Sequence, residues 1–216
     1  DAARYDTFTA GVGPRATPAI VDGRVFAMGA TGTLNALDLA DGRRAWTRKV
    51  VEENGGVLPD WGKSCSPLVS EGRVIVSAGG PNGRSLVAYD ARSGEPVWAG
   101  GSDRASYSSP RLIDLAGRSQ IVIFNASTLA GHDPATGALL WEQACPFKSP
   151  IVAAPVPLPG DRVLISAGYG IGAKVYTVAA GPDSSLQTRL EWESPRLKSK
   201  FANVVVHDGF VYGLDD

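Results

Sequence analysis

Short apolar runs alternate with tight-turn signals along most of the chain. In the first part, the runs ATPAIV, RVFAMGA, TLNALDL and RRAWTRKV are separated by Asp22-Gly23, Thr31-Gly32 and Asp41-Gly42. Dipeptides of this kind between apolar runs are typical of β-hairpin turns. No stretch of twelve residues carries the apolar i, i+3, i+4, i+7 pattern of an amphipathic helix. The pattern predicts four antiparallel strands in this segment and an all-β fold.

The motif Asp-x-x-x-Gly-x-x-x-Trp occurs three times without a gap. Its members are Asp38, Gly42 and Trp46; Asp90, Gly94 and Trp98; and Asp133, Gly137 and Trp141. The tryptophans are 52 and then 43 residues apart, close to the length of a four-stranded propeller blade. The motif therefore marks an internal repeat.

A second marker, Ser/Thr-Pro, opens each repeat at Thr17-Pro18, Ser66-Pro67 and Ser109-Pro110. A fourth repeat opens with Ala154-Pro155 and reaches its tryptophan, Trp192, only after an insertion. The predicted units are about 14–50, 64–101, 107–144 and 150–194, with a truncated unit at 200–216. We interpret residues 1–216 as a single partial propeller.

The repeat length determines how such sheets can be buried. A four-stranded antiparallel sheet cannot bury both faces by itself, so repeated sheets must pack face to face, and radial packing gives a β-propeller. In that fold each repeated tryptophan is an apolar plate between blades, while the aspartate and glycine fix the turn before the outer strand. The sequence predicts an all-β propeller with about four to five blades present.

The motif blocks also carry a family resemblance. The segments ALDLADGRRAW, AYDARSGEPVW and GHDPATGALLW resemble the tryptophan-docking motif of the pyrroloquinoline quinone (PQQ)-like β-propeller repeats. That repeat occurs in quinoprotein alcohol dehydrogenases and in outer-membrane assembly propellers. The stretches WGKSCSPL and YSSP are similar to bacterial PQQ-binding-like propeller proteins. The resemblance covers nearly the whole chain from Thr17 onward.

The resemblance implies a ring of seven or eight blades, of which this chain supplies only a part. An open ring exposes two apolar blade faces. We therefore expect the remaining blades to come from missing sequence, from another chain or from a symmetry mate. Family members are usually exported, so the resemblance implies a periplasmic or secreted protein, although residues 1–4 carry no apolar leader stretch.

Basic and aromatic residues precede the first strand of each unit. In a propeller these approach segments lie nearest the axis and crowd one mouth of the channel. The candidate ligand-binding residues are Arg15, Trp61, Lys63, Arg104, Tyr107, Lys148, Tyr169, Lys198 and Lys200. Cations combined with aromatic faces suit a small flat anion, such as a quinone tricarboxylate. The alternative is that these are solvated loop charges.

Tyr169 comes from the glycine-rich segment 168–172 rather than from an approach segment. The segment lacks the G-x-G-x-x-G spacing of a dinucleotide-binding loop, and no helical pattern follows it. We predict that it is the central hairpin turn of the fourth unit, from which Tyr169 points towards the mouth or a groove.

Two classes of function remain open. In the first, the chain is a binding or assembly module without chemistry of its own. In the second, it is the cofactor domain of a PQQ-dependent alcohol or sugar dehydrogenase, for which the resemblance implies PQQ with calcium. Those enzymes carry adjacent cysteines beneath the cofactor, whereas Cys65 and Cys145 are far apart in sequence, and no calcium-binding set is recognisable. The residues favour the binding module, and none is assigned a catalytic role.

Composition excludes several other classes. The chain has 21 basic and 22 acidic residues, so it lacks the uniformly basic surface of a nucleic-acid-binding protein. No run of 18 apolar residues indicates a transmembrane segment. Two histidines and two cysteines without metal-ligand spacing predict no metal site.

Overall fold

The computed structural model describes residues 5–9, 11–183 and 185–215. Within these residues, the strands form four four-stranded antiparallel sheets and two two-stranded sheets. Their single helix has four residues, and none of the described segments forms a helix that is long and apolar enough to span a membrane. The all-β architecture predicted from the sequence is confirmed.

Each four-stranded sheet is one blade, with its strands adjacent in chain order. A hairpin of β1 (Asp6–Thr7) and β2 (Gly11–Val12) comes first. Blade 1 contains β3 (Ala19–Val21), β4 (Arg24–Met28), β5 (Thr33–Asp38) and β6 (Arg44–Lys49), and α1 (Val50–Glu53) follows it. Blade 2 contains β7 (Leu68–Ser70), β8 (Arg73–Gly80), β9 (Arg84–Asp90) and β10 (Pro96–Gly100).

The second half of the chain repeats this plan. Blade 3 contains β11 (Arg111–Leu115), β12 (Arg118–Phe124), β13 (Thr128–His132) and β14 (Leu139–Ala144). Blade 4 contains β15 (Val156–Leu158), β16 (Arg162–Ala167), β17 (Gly172–Ala180) and β18 (Leu186–Ser194). The final pair, β19 (Val205–His207) and β20 (Phe210–Tyr212), is called the fifth hairpin. Segment 168–171 is the turn between β16 and β17, as predicted.

The motif aspartate and glycine build the turn before the fourth strand of a blade. In blade 2, Asp90 Oδ1 accepts hydrogen bonds from the backbone N–H groups of Arg92 (3.0 Å) and Ser93 (2.7 Å). Gly94 adopts a φ of +76° and donates its N–H to the Asp90 carbonyl at 2.8 Å. A left-handed φ is available to glycine without a Cβ clash. The Asp133–Gly137 turn has the same arrangement. The Asp38–Gly42 turn keeps the glycine conformation and its backbone hydrogen bond, with one bond to Asp38 Oδ1, from the Ala40 N–H.

Two of the repeated tryptophans pack on the motif glycine of the next blade. The Trp46 ring lies so close to Gly94 that a Cβ added there would be 2.7 Å from it, and the indole N–H donates to the Ala91 carbonyl at 3.1 Å. Trp98 covers Gly137 in the same way and donates to the Pro134 carbonyl at 3.1 Å. These side chains are the inter-blade plates that the repeat predicts.

Blades 3 and 4 pack together differently. The buried Trp141 donates its indole N–H to Gln120 Oε1 of its own blade at 2.6 Å. It belongs to an apolar cluster that also contains Leu115 of blade 3 and Val163 and Tyr176 of blade 4. This interface is therefore stabilised by apolar burial rather than by an indole resting on a motif turn.

The repeat markers link the segments that lead into the first strands of adjacent blades. The Thr17 N–H donates to Ser66 Oγ at 3.0 Å, and the Ser66 N–H donates to Ser109 Oγ at 2.9 Å. The next marker residue, Ala154, has no side-chain oxygen, but its own N–H donates to Asn203 Oδ1 at 2.8 Å. With Asn203 at the marker position of the fifth unit, the residue at this position supplies the acceptor for the preceding blade at every interface except that between blades 3 and 4.

At each end of the arc, one partner of the tryptophan–glycine contact is present without the other. At Gly42 of blade 1, a Cβ would meet nothing within 4 Å. At the other end Trp192 pairs with Val175 beside a register shift, as Trp46 does with Ala36, yet its side chain is 48% exposed. The arc therefore ends in an uncovered motif turn on one side and an exposed tryptophan on the other, the two partners of the contact between its blades.

Candidate ligand-binding site at the channel mouth

Five equivalent positions of the repeat converge on one cavity. The residue two positions before the marker lines it in the first four units, namely Arg15, Ser64, Tyr107 and Val152, and in the fifth unit Phe201 stands two positions before Asn203, which takes the marker position. The cavity has a volume of about 460 Å³, and Thr9, Trp61, Pro150 and Tyr169 complete its wall. Because each unit contributes the same position, the cavity lies where the units meet at one mouth of the arc. We call it the mouth cavity.

Trp61 and Tyr107 form a fixed wall of the mouth cavity. Their ring centroids are 5.8 Å apart with a 48° angle between the planes. The Trp61 backbone N–H donates to the Tyr107 hydroxyl at 3.2 Å, and its indole N–H donates to Thr9 Oγ1 at 2.8 Å. Burial raises the pKa of Tyr107, so the phenol is neutral at physiological pH. The wall offers aromatic faces and no negative charge.

Arg15 brings a guanidinium group to the cavity and holds the β1–β2 hairpin beside it. Its terminal nitrogens donate to the carbonyls of Gly13 and Gly11, both at 2.9 Å. The guanidinium carbon lies 5.8 Å from the centroid of the Tyr5 ring, and the Tyr5 hydroxyl donates to the Asp60 carbonyl at 2.8 Å. Backbone carbonyls thus position the Arg15 guanidinium in the wall of the cavity.

Tyr169 and Phe201 form a more exposed part of the cavity wall. Tyr169 sits in the β16–β17 turn with a φ of +57° and is 46% exposed, while Phe201 is 74% exposed. Lys200 Nζ lies 4.6 Å from the Tyr169 ring centroid and 5.7 Å from that of Phe201. These distances are typical of cation–π contacts. Lys200 therefore adds positive charge beside this aromatic rim.

Arg104 and Lys148 lie in a second depression, which also contains Trp61, Tyr107 and Pro150. We call this depression, about 510 Å³ in volume, the basic cleft. Lys198 lines neither depression, and its Nζ forms a 3.3 Å ion pair with Asp215. Most of the predicted residues are thus brought to one face, but they divide between two adjoining depressions.

Lys63 does not present its charge to the mouth. The residue is fully buried, and its Nζ has no hydrogen-bond partner among the described residues. Burial is the main cause of a lowered Lys63 pKa, which the nearby Cys65 thiol opposes. Its backbone N–H donates to the Ala30 carbonyl of blade 1 at 2.8 Å, which anchors this segment within the interface of blades 1 and 2. Lys63 is therefore not a ligand contact in this structure.

The described residues do not fit PQQ with calcium. A tricarboxylate needs several cationic partners, whereas Arg15 is the single basic residue in the wall of the mouth cavity. Cys65 and Cys145 are both buried and free, and neither lines the cavity. Among the described residues, no three His, Cys, Asp or Glu side chains are grouped as a metal site. The arrangement suits a smaller ligand with one negative charge and a flat apolar body.

Sequence reasoning missed several residues of the cavity wall. Ser64, Val152 and Phe201 carry no charge, and Thr9 belongs to a hairpin without an apolar alternation pattern. The repeat register contains the missing signal, because three of these residues stand at the position that Arg15 and Tyr107 occupy in their own units.

A family model agrees with the repeat and with the blade geometry. The model described as "Outer membrane protein assembly factor BamB" (PQQ_2) matches residues 3–216. The chain belongs to this family. The PQQ-like propeller resemblance drawn from the motif is therefore confirmed.

Two curated relatives have different described functions. The chain is 27% identical over 176 residues to the outer membrane protein assembly factor BamB of Xanthomonas campestris pv. campestris, covering 76% of this chain and 40% of that protein. It is 36% identical over 92 residues to the 1-butanol dehydrogenase (cytochrome c) of Thauera butanivorans, covering 40% of this chain and 12% of that protein. The chain thus spans less than half the length of either relative.

A solved structure confirms the propeller fold. The crystal structure of BamB from Moraxella catarrhalis superposes with a TM-score of 0.62 at 18% identity, covering 94% of this chain and 55% of that one. The chain therefore has the architecture of part of a β-propeller.

Proposed function

We propose that this chain is part of a non-catalytic binding propeller whose mouth cavity holds a flat apolar group with an adjacent negative charge. The observation that carries the proposal is the convergence of Trp61, Tyr107, Tyr169 and Phe201 with Arg15 around one cavity. Aromatic faces favour stacking, and a guanidinium favours an anion at the edge of the stacked group.

The same residues support binding rather than a reaction. A nucleophile or general base must lie within hydrogen-bond reach of a partner that activates or orients it. The titratable groups in the cavity wall are Arg15, Tyr107 and Tyr169. Tyr107 accepts a hydrogen bond from backbone, and its pKa is raised rather than lowered. This set offers contacts to a ligand but no base.

Fluorescence titration with anilinonaphthalenesulfonate, an anion whose naphthalene ring is flat and apolar, tests the proposed site. Tyr169→Ala removes one aromatic face and is expected to weaken binding about two- to tenfold, since an aromatic pair contributes about 0.5 to 1.5 kcal/mol. Phe210→Ala is the matched control, because Phe210 is 66% exposed on the fifth hairpin and lies outside the cavity. Equal affinities of the parent and the Tyr169→Ala variant would overturn the site.

The alternative function is the cofactor domain of a PQQ-dependent alcohol or sugar dehydrogenase. The 36% identity to a 1-butanol dehydrogenase favours it, although that match covers 12% of the enzyme. In this case blades outside the chain must supply the quinone and calcium ligands. Alcohol-dependent dye reduction by the full-length protein with PQQ and calcium decides between the two functions: turnover supports the dehydrogenase, and its absence supports the binding module.

We propose that further blades complete the ring, from missing sequence, another chain or a symmetry mate. The exposed Trp192 at one end and the uncovered Gly42 turn at the other support this. Light scattering of the chain checks it. Association is expected, whereas a stable 22.5 kDa monomer with one cooperative melt contradicts the need for further blades.

We also propose a periplasmic or secreted location in a bacterium. The match to a protein described as an outer membrane assembly factor supports this location. Fractionation of a bacterial host that expresses the full-length gene tests it, and recovery with cytoplasmic markers contradicts it.

A further inference from the structure

The mouth cavity and the basic cleft are two halves of one surface. They share Trp61, Tyr107 and Pro150, so a single wall of rings separates them. This wall is fixed by the hydrogen bonds from Trp61 to Thr9 and Tyr107. A ligand that crosses the wall therefore meets a surface that is already ordered, which limits the entropy lost on binding.

The two halves differ in chemistry. The mouth cavity is dominated by rings and aliphatic side chains, whereas the basic cleft carries the exposed cations Arg104 and Lys148. Neither cation forms an ion pair within the described residues. Asp60 is the single acidic side chain in the cleft wall. The nearby Asp103 carboxylate accepts hydrogen bonds from Ser127 and Thr128.

Both halves have exposed apolar side chains at their outer edges. Val57 in the wall of the cleft is 72% exposed, and Phe201 in the wall of the cavity is 74% exposed. A small flat molecule seated in the cavity leaves Val57 and the two cleft cations uncovered. An extended chain rises about 3.3 Å per residue, so a short linear segment can cover both depressions.

We propose that the partner of this surface is a linear acidic peptide segment with one bulky apolar side chain. This inference rests on the proposed function and names the source of the flat apolar group. The bulky side chain enters the mouth cavity, and the neighbouring carboxylates face Arg104 and Lys148 across the Trp61–Tyr107 wall. Opposite charges steer such a segment onto the face, and the aromatic cavity fixes its register.

Fluorescence anisotropy with a labelled peptide of about ten residues, which is about 33 Å long when extended, tests the proposal. The peptide contains one phenylalanine among aspartates and serines. Replacing that phenylalanine by alanine is expected to weaken binding about tenfold. Replacing the aspartates by asparagines is expected to weaken it about three- to tenfold and to remove its salt dependence.

Variants of the protein test which part of the peptide each depression binds. With Phe201→Ala, the phenylalanine peptide and its alanine form should bind with equal affinity. With Arg104→Gln combined with Lys148→Gln, the aspartate peptide and the asparagine peptide should bind with equal affinity. Arg44→Gln is the charge control, because Arg44 is exposed on β6 and outside both depressions. Circular dichroism melts establish that each variant is folded.

The outcomes separate this inference from the proposed function. If anilinonaphthalenesulfonate binds in a Tyr169-dependent way but no peptide does, the mouth cavity stands and the peptide proposal is overturned. If neither probe binds, both are overturned. Peptide binding that is unaffected by Phe201→Ala and by the double cleft variant also overturns the proposal, since the peptide then binds elsewhere.

Discussion

The indole of Trp46 lies directly on Gly94, the motif glycine of the following blade. The absence of a side chain at Gly94 lets the ring approach, and the same turn supplies the carbonyl of Ala91 that accepts the indole N–H. One repeated motif therefore contains both halves of an inter-blade contact. Its tryptophan reaches forward to the next blade, and its glycine receives the tryptophan of the blade before.

Gly94→Ala is expected to destabilise the chain by about 2 to 4 kcal/mol. The new methyl group overlaps the Trp46 ring, and alanine is strained at a φ of +76°. Gly42→Ala is the matched control, because Gly42 has a φ of +72° at the same turn position but nothing within 4 Å. It should cost only the backbone strain, about 1 to 2 kcal/mol. If Gly94→Ala and Gly42→Ala lose the same free energy of unfolding in urea, the close approach of Trp46 to Gly94 adds nothing to the cost of the substitution.

The blades could be predicted from sequence because each signal is local. Apolar runs, Asp-Gly turns and the spacing of Trp46, Trp98 and Trp141 all describe one sheet and its immediate neighbour. The β1–β2 hairpin escaped prediction, because its strands have only two residues each and their order depends on contacts such as Trp61 to Thr9. Contacts between distant segments of this kind leave no periodic trace in the sequence.

Ala154→Ser is expected to stabilise the chain by about 0.5 to 1.5 kcal/mol, the net contribution of one hydrogen bond. The serine hydroxyl takes the position that Ser66 and Ser109 occupy in their blades and accepts from the Ser109 N–H. Ser66→Ala, which removes an existing acceptor, should destabilise by a similar amount. Urea unfolding measures both, and a loss of stability in Ala154→Ser would show that the blade 3–4 interface cannot hold a hydroxyl.

Lys63→Met is expected to stabilise the chain by about 1 to 3 kcal/mol at neutral pH, because a buried amine without a partner is replaced by an apolar side chain. Burial lowers the folded-state pKa of Lys63 below its ordinary 10.5. Between these two values the unfolded chain binds more protons, so the stability of the parent rises with pH. The advantage of the variant should therefore be greatest below the folded-state pKa and shrink as pH approaches 10.5.

Urea unfolding at a series of pH values measures this advantage. The Cys65 pKa is raised mainly by burial, so the thiol lowers stability only above its ordinary 9.0, and the comparison is cleanest below that pH. Lys63→Gln is the polar control, since it removes the charge but keeps an unpartnered polar group. A parent that is more stable than Lys63→Met at neutral pH would contradict the assignment of Lys63 as an unpartnered buried amine.

The candidate site was only partly predictable, for a reason that Lys63 illustrates. Sequence placed basic residues in the approach segments, but within an irregular segment no periodicity shows which way a side chain points. Lys63 turns into the blade interface, whereas Ser64, the next residue, lines the mouth cavity. The equivalent positions of the repeat would have separated them, because Ser64 aligns with Arg15 and Tyr107 and Lys63 does not.

Trp98→Ala should lower the free energy of unfolding much more than Trp192→Ala does. Trp98 rests on Gly137 and donates to the Pro134 carbonyl, so its removal is expected to cost about 3 to 5 kcal/mol. Trp192 is half-exposed, and its indole N–H has no hydrogen-bond partner among the described residues, so removal of the side chain should cost about 1 kcal/mol or less. If a further Asp-x-x-x-Gly turn covers Trp192 in the assembled protein, the cost of Trp192→Ala should rise towards that of Trp98→Ala there. Urea unfolding of the chain and of the full-length protein makes the comparison, and an equally small cost in both would show that no blade packs on Trp192.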